Sequence, residues 1–417
     1  MKVLAMILAG GVSPGLSVLT ARRSDAALPF AGKYRVIDFT LSNCVNSGLD
    51  NVAVLTQYMP RSLNVHIHSG KPWDLDRTEG GVRMLQPYQS SAESAGAWQE
   101  GSADAIRFNL DFVQDSGAER VLILAGNHVY KMNYQPLLEF HESRQADVTV
   151  AVRAVSPHEA HRFGMVTTDI DGRITRFEEK PRRTRSTLAS MGIYLFKTGV
   201  LVDWLTGVGK HHRHLGGDVL PRIITRKRVF AYEFEGYWTN VSMVPTYYQA
   251  NRALLADIPA LDLSDSRWVI HTRSEQYPPV WLGPEAAVEG NLLCDGARIE
   301  GDVRGSVIGP GVVIGAGAVV RDSIIMNDSV IEPGAQIHRA IIDKEVLVGS
   351  EARVGAGEDN TPNPRMPDVL NTGITLVGKR AQVPAGAVLG RNVVVAPETR
   401  ADAYPSPEIP SGTYVGA

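Results

Sequence analysis

Beyond about residue 280 an aliphatic side chain returns at every sixth position, and few folds accept that period. Ile308, Ile314 and Val320 are six apart. After a step of five come Ile325, Ile331 and Ile337, and after another Ile342, Val348 and Val354; Val377, Val383, Leu389 and Val395 resume the spacing. Glycine follows several of these positions, as in Ile308-Gly309 and Val348-Gly349. An amphipathic helix needs a period near 3.6 and a half-buried strand a period near two. One inward aliphatic per short strand, with a turn between strands, predicts instead a parallel β-helix. A β-sandwich with fortuitous spacing is the alternative. The proline-rich stretch Glu358 to Asn371 predicts a loop thrown out of the stack. The open end coils and flat faces of such a helix want covering, so an oligomer is expected.

The first part of the chain has another rhythm. Short apolar runs at Val3–Leu8, Val52–Thr56, Arg120–Leu124 and Asp147–Val152 alternate with longer segments, among them a candidate helix over 37–47. Continuous buried runs separated by crossover-length segments predict an α/β domain with a mostly parallel sheet, whose ligands bind beyond the carboxyl ends of the strands. The domains are therefore expected at 1–257 and 281–417, joined by a linker at 258–280 carrying Pro259, Pro278 and Pro279. A net charge of −3 leaves no electrostatic footprint for nucleic acid. No run is long enough to span a bilayer, so no membrane partner and a cytoplasmic location are expected. Cys44 and Cys294 are the only cysteines, outside any metal or redox spacing.

An ordered set of motifs carries more. It comprises Leu8-Ala9-Gly10-Gly11, Leu19-Thr20, Pro29 to Phe39 (with Gly32-Lys33-Tyr34-Arg35), Leu41 to Gly48 and Gly101-Ser102-Ala103-Asp104. Then follow Phe177-Glu178-Glu179-Lys180-Pro181, Ala189-Ser190-Met191-Gly192 and Gly236-Tyr237-Trp238. In this order, with the hexads behind them, they resemble the ADP-glucose pyrophosphorylase (glucose-1-phosphate adenylyltransferase) family. The resemblance implies a Rossmann-like nucleotidyltransferase domain followed by a left-handed parallel β-helix of hexapeptide repeats, usually in a tetramer. The family reaction of glycogen and starch synthesis joins ATP and glucose 1-phosphate into ADP-glucose and pyrophosphate. Attack is direct, so the protein's work is positioning and charge stabilisation around the polyphosphate, with cationic side chains and Mg²⁺ on carboxylates.

Against that pattern the chain departs at charged positions. The family's Gly-Gly-x-Gly-Thr-Arg-Leu is Gly10-Gly11-Val12-Ser13-Pro14-Gly15-Leu16, so Gly15 stands for the phosphate-gripping arginine. Asp25 stands for the lysine of Arg-Ala-Lys-Pro. Asn127 and Asn240 replace the two aspartates that hold the metal. No intact catalytic set and no resident metal are expected; Mg²⁺ enters only if activity is retained. The sugar-phosphate positions Gly164, Glu179, Lys180 and Ser190 match, with Gln99 at a tyrosine position. Leu8, Ala9, Gly10, Gly11, Gln86, Gly101 and Asp104 are the nucleotide-binding candidates. Lys33 and Arg35 fall where the family keeps its effector site, a solvated basic loop being the plain alternative. A structural ion pair is the plain alternative for Lys180.

These residues predict a catalytically impaired regulatory subunit that binds sugar phosphate and effectors beside an active paralogue. The alternatives are an active adenylyltransferase and a homotetrameric sugar-phosphate sensor. His211, His212 and His214 lack an acidic or cysteine partner in sequence, and His338, the lone histidine of the regular hexads, has no acyl-carrier signature beside it, so neither metal binding nor acyl transfer is favoured.

Overall fold

The computed structural model describes residues 1–87 and 98–416. They gather into two compact units, the first of residues 1–11, 39–238 and 266–271, the second of 12–38, 239–265 and 272–417.

Nine strands form the sheet of the first unit: β1 (Val3–Leu8), β2 (Asn51–Leu55), β3 (Gly81–Leu85), β4 (Arg120–Ala125), β5 (Val148–Ala154), β6 (Gly164–Thr168), β7 (Ile174–Glu179), β8 (Leu188–Lys197) and β9 (Val229–Glu233). The order β3-β2-β1-β4 is parallel throughout. β8 then lies antiparallel to β4 and carries β5 and β6, also antiparallel, on its other side. β7 closes on β6, and β9 runs parallel to β5. The expected runs coincide with β1, β2, β4 and β5 to within about two residues, and the expected helix spans Val36–Asn46. Leu4, Ala5, Met6 and Ile7 are all buried, successive residues on both faces of β1. A strand covered on both faces has no reason to alternate, which is why it reads as one apolar run. Parallel pairing also sets the carboxyl ends of β1 to β4 along one sheet edge.

The second unit contains the left-handed parallel β-helix, with three sheets of six, seven and seven short strands. Ile308, Ile325, Ile342, Val377 and Val395 stand in one register column. Ile314, Ile331, Val348 and Val383 make the second, and Val320, Ile337, Val354 and Leu389 the third. All of these hexad positions are buried in one core. In the stacked turns Gly311, Asp328 and Glu345 take φ of 68°, 58° and 59°. That left-handed conformation is free for glycine and costly for other residues, yet the coil above fixes it: the Asp328 amide donates to the Pro310 carbonyl and the Glu345 amide to that of Asn327, both at 2.9 Å. The expected excursion leaves the stack between the strands Arg353–Ala356 and Thr375–Val377. It is pinned by the buried Asn363, whose Nδ2 donates to the Asn392 carbonyl at 3.2 Å. Among the described residues no helix is long and apolar enough to cross a membrane.

Candidate active site

In the first unit the loops beyond β1, β2 and β4 close on one another. The Ala9 amide donates to the Leu55 carbonyl at 2.9 Å and the Gly126 amide to that of Leu8 at 3.0 Å. A Cβ on Gly10 would lie 2.8 Å from the Gln57 nitrogen, so this crossing takes glycine alone, whereas Gly11 faces open space. Gln57 and Gln99 hold each other by two hydrogen bonds. Gln57 Nε2 donates to the Gln99 carbonyl at 3.0 Å, and the Gln99 amide to Gln57 Oε1 at 2.9 Å. Gln57 was not among the sequence candidates, because its role appears only once two loops 42 residues apart meet. Gln86 is exposed just after β3. Asp104 turns inward on its own helix, accepting from the Glu100 amide at 2.8 Å and pairing with Arg107. Gly101 abuts the Arg213 carbonyl too closely for any Cβ.

Of the sugar-phosphate candidates, Gly164, Glu179 and Lys180 meet at the end of β7, whereas Gln99 stays with Gln57. A Cβ on Gly164 would lie 3.0 Å from Glu179 Oε2, and one on Gly216 still closer, so the carboxylate sits in a notch that two glycines leave open. Glu179 is exposed as a residue, but its carboxyl end loses water in that notch. Desolvation raises its pKa, against the opposing pull of Lys180 and His214. Lys180 is exposed, adopts a left-handed φ of 45°, and donates its amide to the Phe163 carbonyl at 3.0 Å. Its Nζ makes no salt bridge among the described residues, though its charge acts on the neighbouring Glu179 carboxylate. Ser190 is buried and donates to the Tyr194 hydroxyl at 3.2 Å.

His128, beside Asn127, is buried, and Trp238 Nε1 donates to its Nδ1 at 3.3 Å. Burial lowers its pKa to about 4, partly offset by a hydrogen bond to the Met191 backbone. The imidazole is therefore neutral at physiological pH, and it ties the loop after β4 to the Ser190 loop. Gly216, His128 and Trp238 lie in motifs the sequence shows, but their contacts appear only in the fold. Gly216 stands in Leu215-Gly216-Gly217-Asp218, where the resemblance places Phe-Gly-Lys-Asp.

In the second unit the loop Val12–Gly15 is closed on a carboxylate. Asp25, 5% exposed, accepts the Ser13 amide at 2.8 Å through Oδ1 and the Ser13 hydroxyl through Oδ2. The site of a Cβ on Gly15 lies 2.8 Å from the Ser242 carbonyl oxygen and 3.0 Å from Met243 Cγ, so the room for a long side chain at this position has been filled. Asn240 Oδ1 accepts the Ser242 amide at 2.9 Å, its own backbone two residues on. Mg²⁺ prefers anionic oxygen in near-octahedral array. Asn127 and Asn240 each offer only a neutral amide oxygen, and that of Asn240 already accepts the Ser242 amide, so each taken singly is a poorer donor to the ion than a carboxylate.

The same unit gathers Arg23, Arg35, Arg273 and Lys344 against Asp38, Asp343 and Glu275. Arg23 bonds both oxygens of Asp343, at 2.7 and 2.9 Å. Burial lowers the Arg35 pKa to about 10, with Arg23 and Arg273 adding to the lowering and Asp38 and Glu275 opposing it. Lys33 is exposed, its Nζ 5.5 Å from the centre of the Tyr34 ring. Of the two effector candidates, Arg35 thus joins the cationic cluster and Lys33 stands at the surface.

The nucleotidyl transferase family model matches residues 4–257, and a GlmU-like C-terminal hexapeptide model matches 283–377. A glucose-1-phosphate adenylyltransferase of Thermomicrobium roseum is 52% identical over 99% of this chain and 97% of its own length. Proteins of the same name from Acetivibrio thermocellus and Thermotoga maritima are 42% and 44% identical, each over 99% of this chain and at least 97% of their own. With both parts of the fold matched and relatives aligned end to end, the chain belongs to the ADP-glucose pyrophosphorylase family.

Proposed function

We propose that the chain serves ADP-glucose formation as a glucose-1-phosphate-binding subunit with little turnover of its own, assembled with an active catalytic subunit of the same family. The observation that carries this reading is the Ser13–Asp25 contact. Where the family places a lysine toward the polyphosphate, a buried carboxylate occupies the amide of the phosphate loop. At an effective dielectric of about 20, one unit-charge pair at about 4 Å is worth roughly 4 kcal/mol, so a reversal weighs heavily on a triphosphate. The sugar half supports binding: Lys180 offers a point charge for the phosphate, and Glu179, beside it, offers acceptor oxygens for sugar hydroxyls. A cytoplasmic location suits this reading, with the chain in a hetero-oligomer with the catalytic subunit or, alone, in a homotetramer.

A second reading, an active glucose-1-phosphate adenylyltransferase, is favoured by the names of its relatives and by their coverage of almost the whole chain. None of those names points to a regulatory subunit. One assay separates the readings. Purified alone with ATP, glucose 1-phosphate and Mg²⁺, the chain should form no ADP-glucose above background, yet co-expression should shift the kinetics of an active paralogue. Brisk formation by the lone chain establishes the second reading. Glucose 1-phosphate should still bind, and Lys180→Met should weaken it at least tenfold by calorimetric titration.

The cluster around Arg35 supports an effector site for phosphorylated metabolites, and it carries a proton signature. Burial first, then Arg35 and Arg23, lowers the Lys344 pKa from 10.5 to about 7. Between these values the folded chain binds fewer protons than the unfolded one, so this group makes stability rise with pH across that window and leaves its full penalty below it. An anion beside Lys344 favours the charged form. Binding of a phosphate monoester at pH 8 should therefore take up a proton, read as different heats in two buffers of unlike ionisation enthalpy. Equal heats would refute it.

A further inference from the structure

The segment after the sugar-phosphate pair reads Lys180-Pro181-Arg182-Arg183-Thr184-Arg185-Ser186-Thr187, four cations and no acid in a chain whose net charge is −3. It bridges β7 and β8 and is fastened at both ends. The Lys180 amide donates to the Phe163 carbonyl at 3.0 Å, and the Val155 amide to that of Thr187 at 2.9 Å. Ser186 Oγ donates to the Val166 carbonyl and accepts the Leu188 amide at 3.1 Å, and Thr184 Oγ1 accepts the Ser186 amide at 3.1 Å. The middle of the bridge carries its arginines outward. Arg182, Arg183 and Arg185 are exposed and make no hydrogen bond or ion pair among the described residues. Three nearby arginines differ. Arg176 pairs with Glu178 at 2.8 Å, Arg162 with Glu159 at 3.5 Å, and Arg153 donates to the Gly236 carbonyl.

The position of this unpaired charge gives it a use. An extended chain advances at most about 3.6 Å per residue, so the Cα of Arg182 lies within about 7 Å of that of Lys180 and the Cα of Arg183 within about 11 Å. Those spans are comparable with the Debye length of about 8 Å at physiological ionic strength and well inside that of dilute buffer. Exposed cations there act on a dianion before contact, concentrating it at the notch, and they act on association more than on the bound contacts.

We propose that Arg182, Arg183 and Arg185 form an electrostatic lip that recruits anionic sugar phosphates to the Glu179–Lys180 notch without themselves gripping the phosphate. The proposal rests on the sugar-phosphate reading of that notch. Its test is titration of the full chain with glucose 1-phosphate and with neutral glucose, at about 20 and 300 mM salt. The triple variant Arg182→Ser, Arg183→Ser, Arg185→Ser should bind glucose 1-phosphate three- to tenfold more weakly at low salt and within twofold of wild type at high salt. Its affinity for glucose and its melting temperature should be unchanged. The triple glutamate variant should invert the trend, with affinity for glucose 1-phosphate rising as salt is added, a response that a merely structural loop would not give. Equal affinity at low salt, or a loss that persists undiminished at high salt, overturns the lip while leaving the notch standing. Failure of the wild-type chain to bind glucose 1-phosphate removes the notch and the lip together.

Discussion

Arg23→Ala should destabilise the second unit by about 3–5 kcal/mol, the usual cost of stranding one member of a buried pair. Arg23 and Asp343 are 4% and 0% exposed at their side chains, and the guanidinium reaches both carboxylate oxygens. Removing the arginine leaves a desolvated carboxylate that still accepts the Lys344 amide at 2.7 Å. The adjacent residue supplies the control. Arg22 bonds Glu398 at the same 2.7 Å, but the two side chains are 50% and 49% exposed. Water screens that pair, and Arg22→Ala should cost less than about 1 kcal/mol. Denaturant unfolding followed by a probe in the β-helix distinguishes them. Arg23→Met with Asp343→Leu should recover most of the loss, since apolar groups of similar volume need no partner. Equal costs for Arg22→Ala and Arg23→Ala would contradict the assignment of the buried pair as the stronger anchor.

That pair also shows where sequence reading stops. The β-helix is legible because each coil repeats one demand, an aliphatic at the inward position, and Ile308, Ile325 and Ile342 meet it independently of anything distant. The runs of β1, β2, β4 and β5 are legible for a similar reason, since burial on both faces needs only local apolarity. Strand direction is not local. Nothing in Leu188–Lys197 by itself says that it returns antiparallel beside β4, and that return is what delivers Ser190 to the neighbourhood of His128. The partners of the charged positions are more distant still. Arg23 and Asp343 lie 320 residues apart. Asp25 could be read as a charge reversal, but not as the acceptor of the Ser13 amide, because a composition of charges carries no geometry. The notch around Glu179 was half legible: Gly164 and Glu179 sit in family motifs, while Gly216 matters only through the carboxylate folded against it.

The second large effect concerns restoring chemistry, and the packing at Gly15 dictates its form. Reversing the four departures together, Gly15→Arg, Asp25→Lys, Asn127→Asp and Asn240→Asp, should yield little ADP-glucose, although it returns every missing charge. A Cβ at position 15 meets the Ser242 carbonyl at 2.8 Å and Met243 at 3.0 Å, closer than side-chain carbons tolerate. The new arginine must therefore displace that segment or point away from it. Asp25→Lys meanwhile breaks two bonds to Ser13 and buries a cation where an anion was held. Adding Ser242→Gly and Met243→Thr gives the backbone freedom to withdraw and removes the side chain in the way. The six-fold variant should exceed the four-fold one at least 100-fold in kcat/KM, roughly 2.7 kcal/mol of transition-state stabilisation. Single reversions should each change the rate by less than about threefold, because groups that act as one unit do not contribute additively. Should the four-fold variant match the six-fold one, the segment at 242–243 yields easily and the loop was lacking charge alone. Should neither turn over while both still bind glucose 1-phosphate, the loss extends beyond the phosphate loop and the two amides.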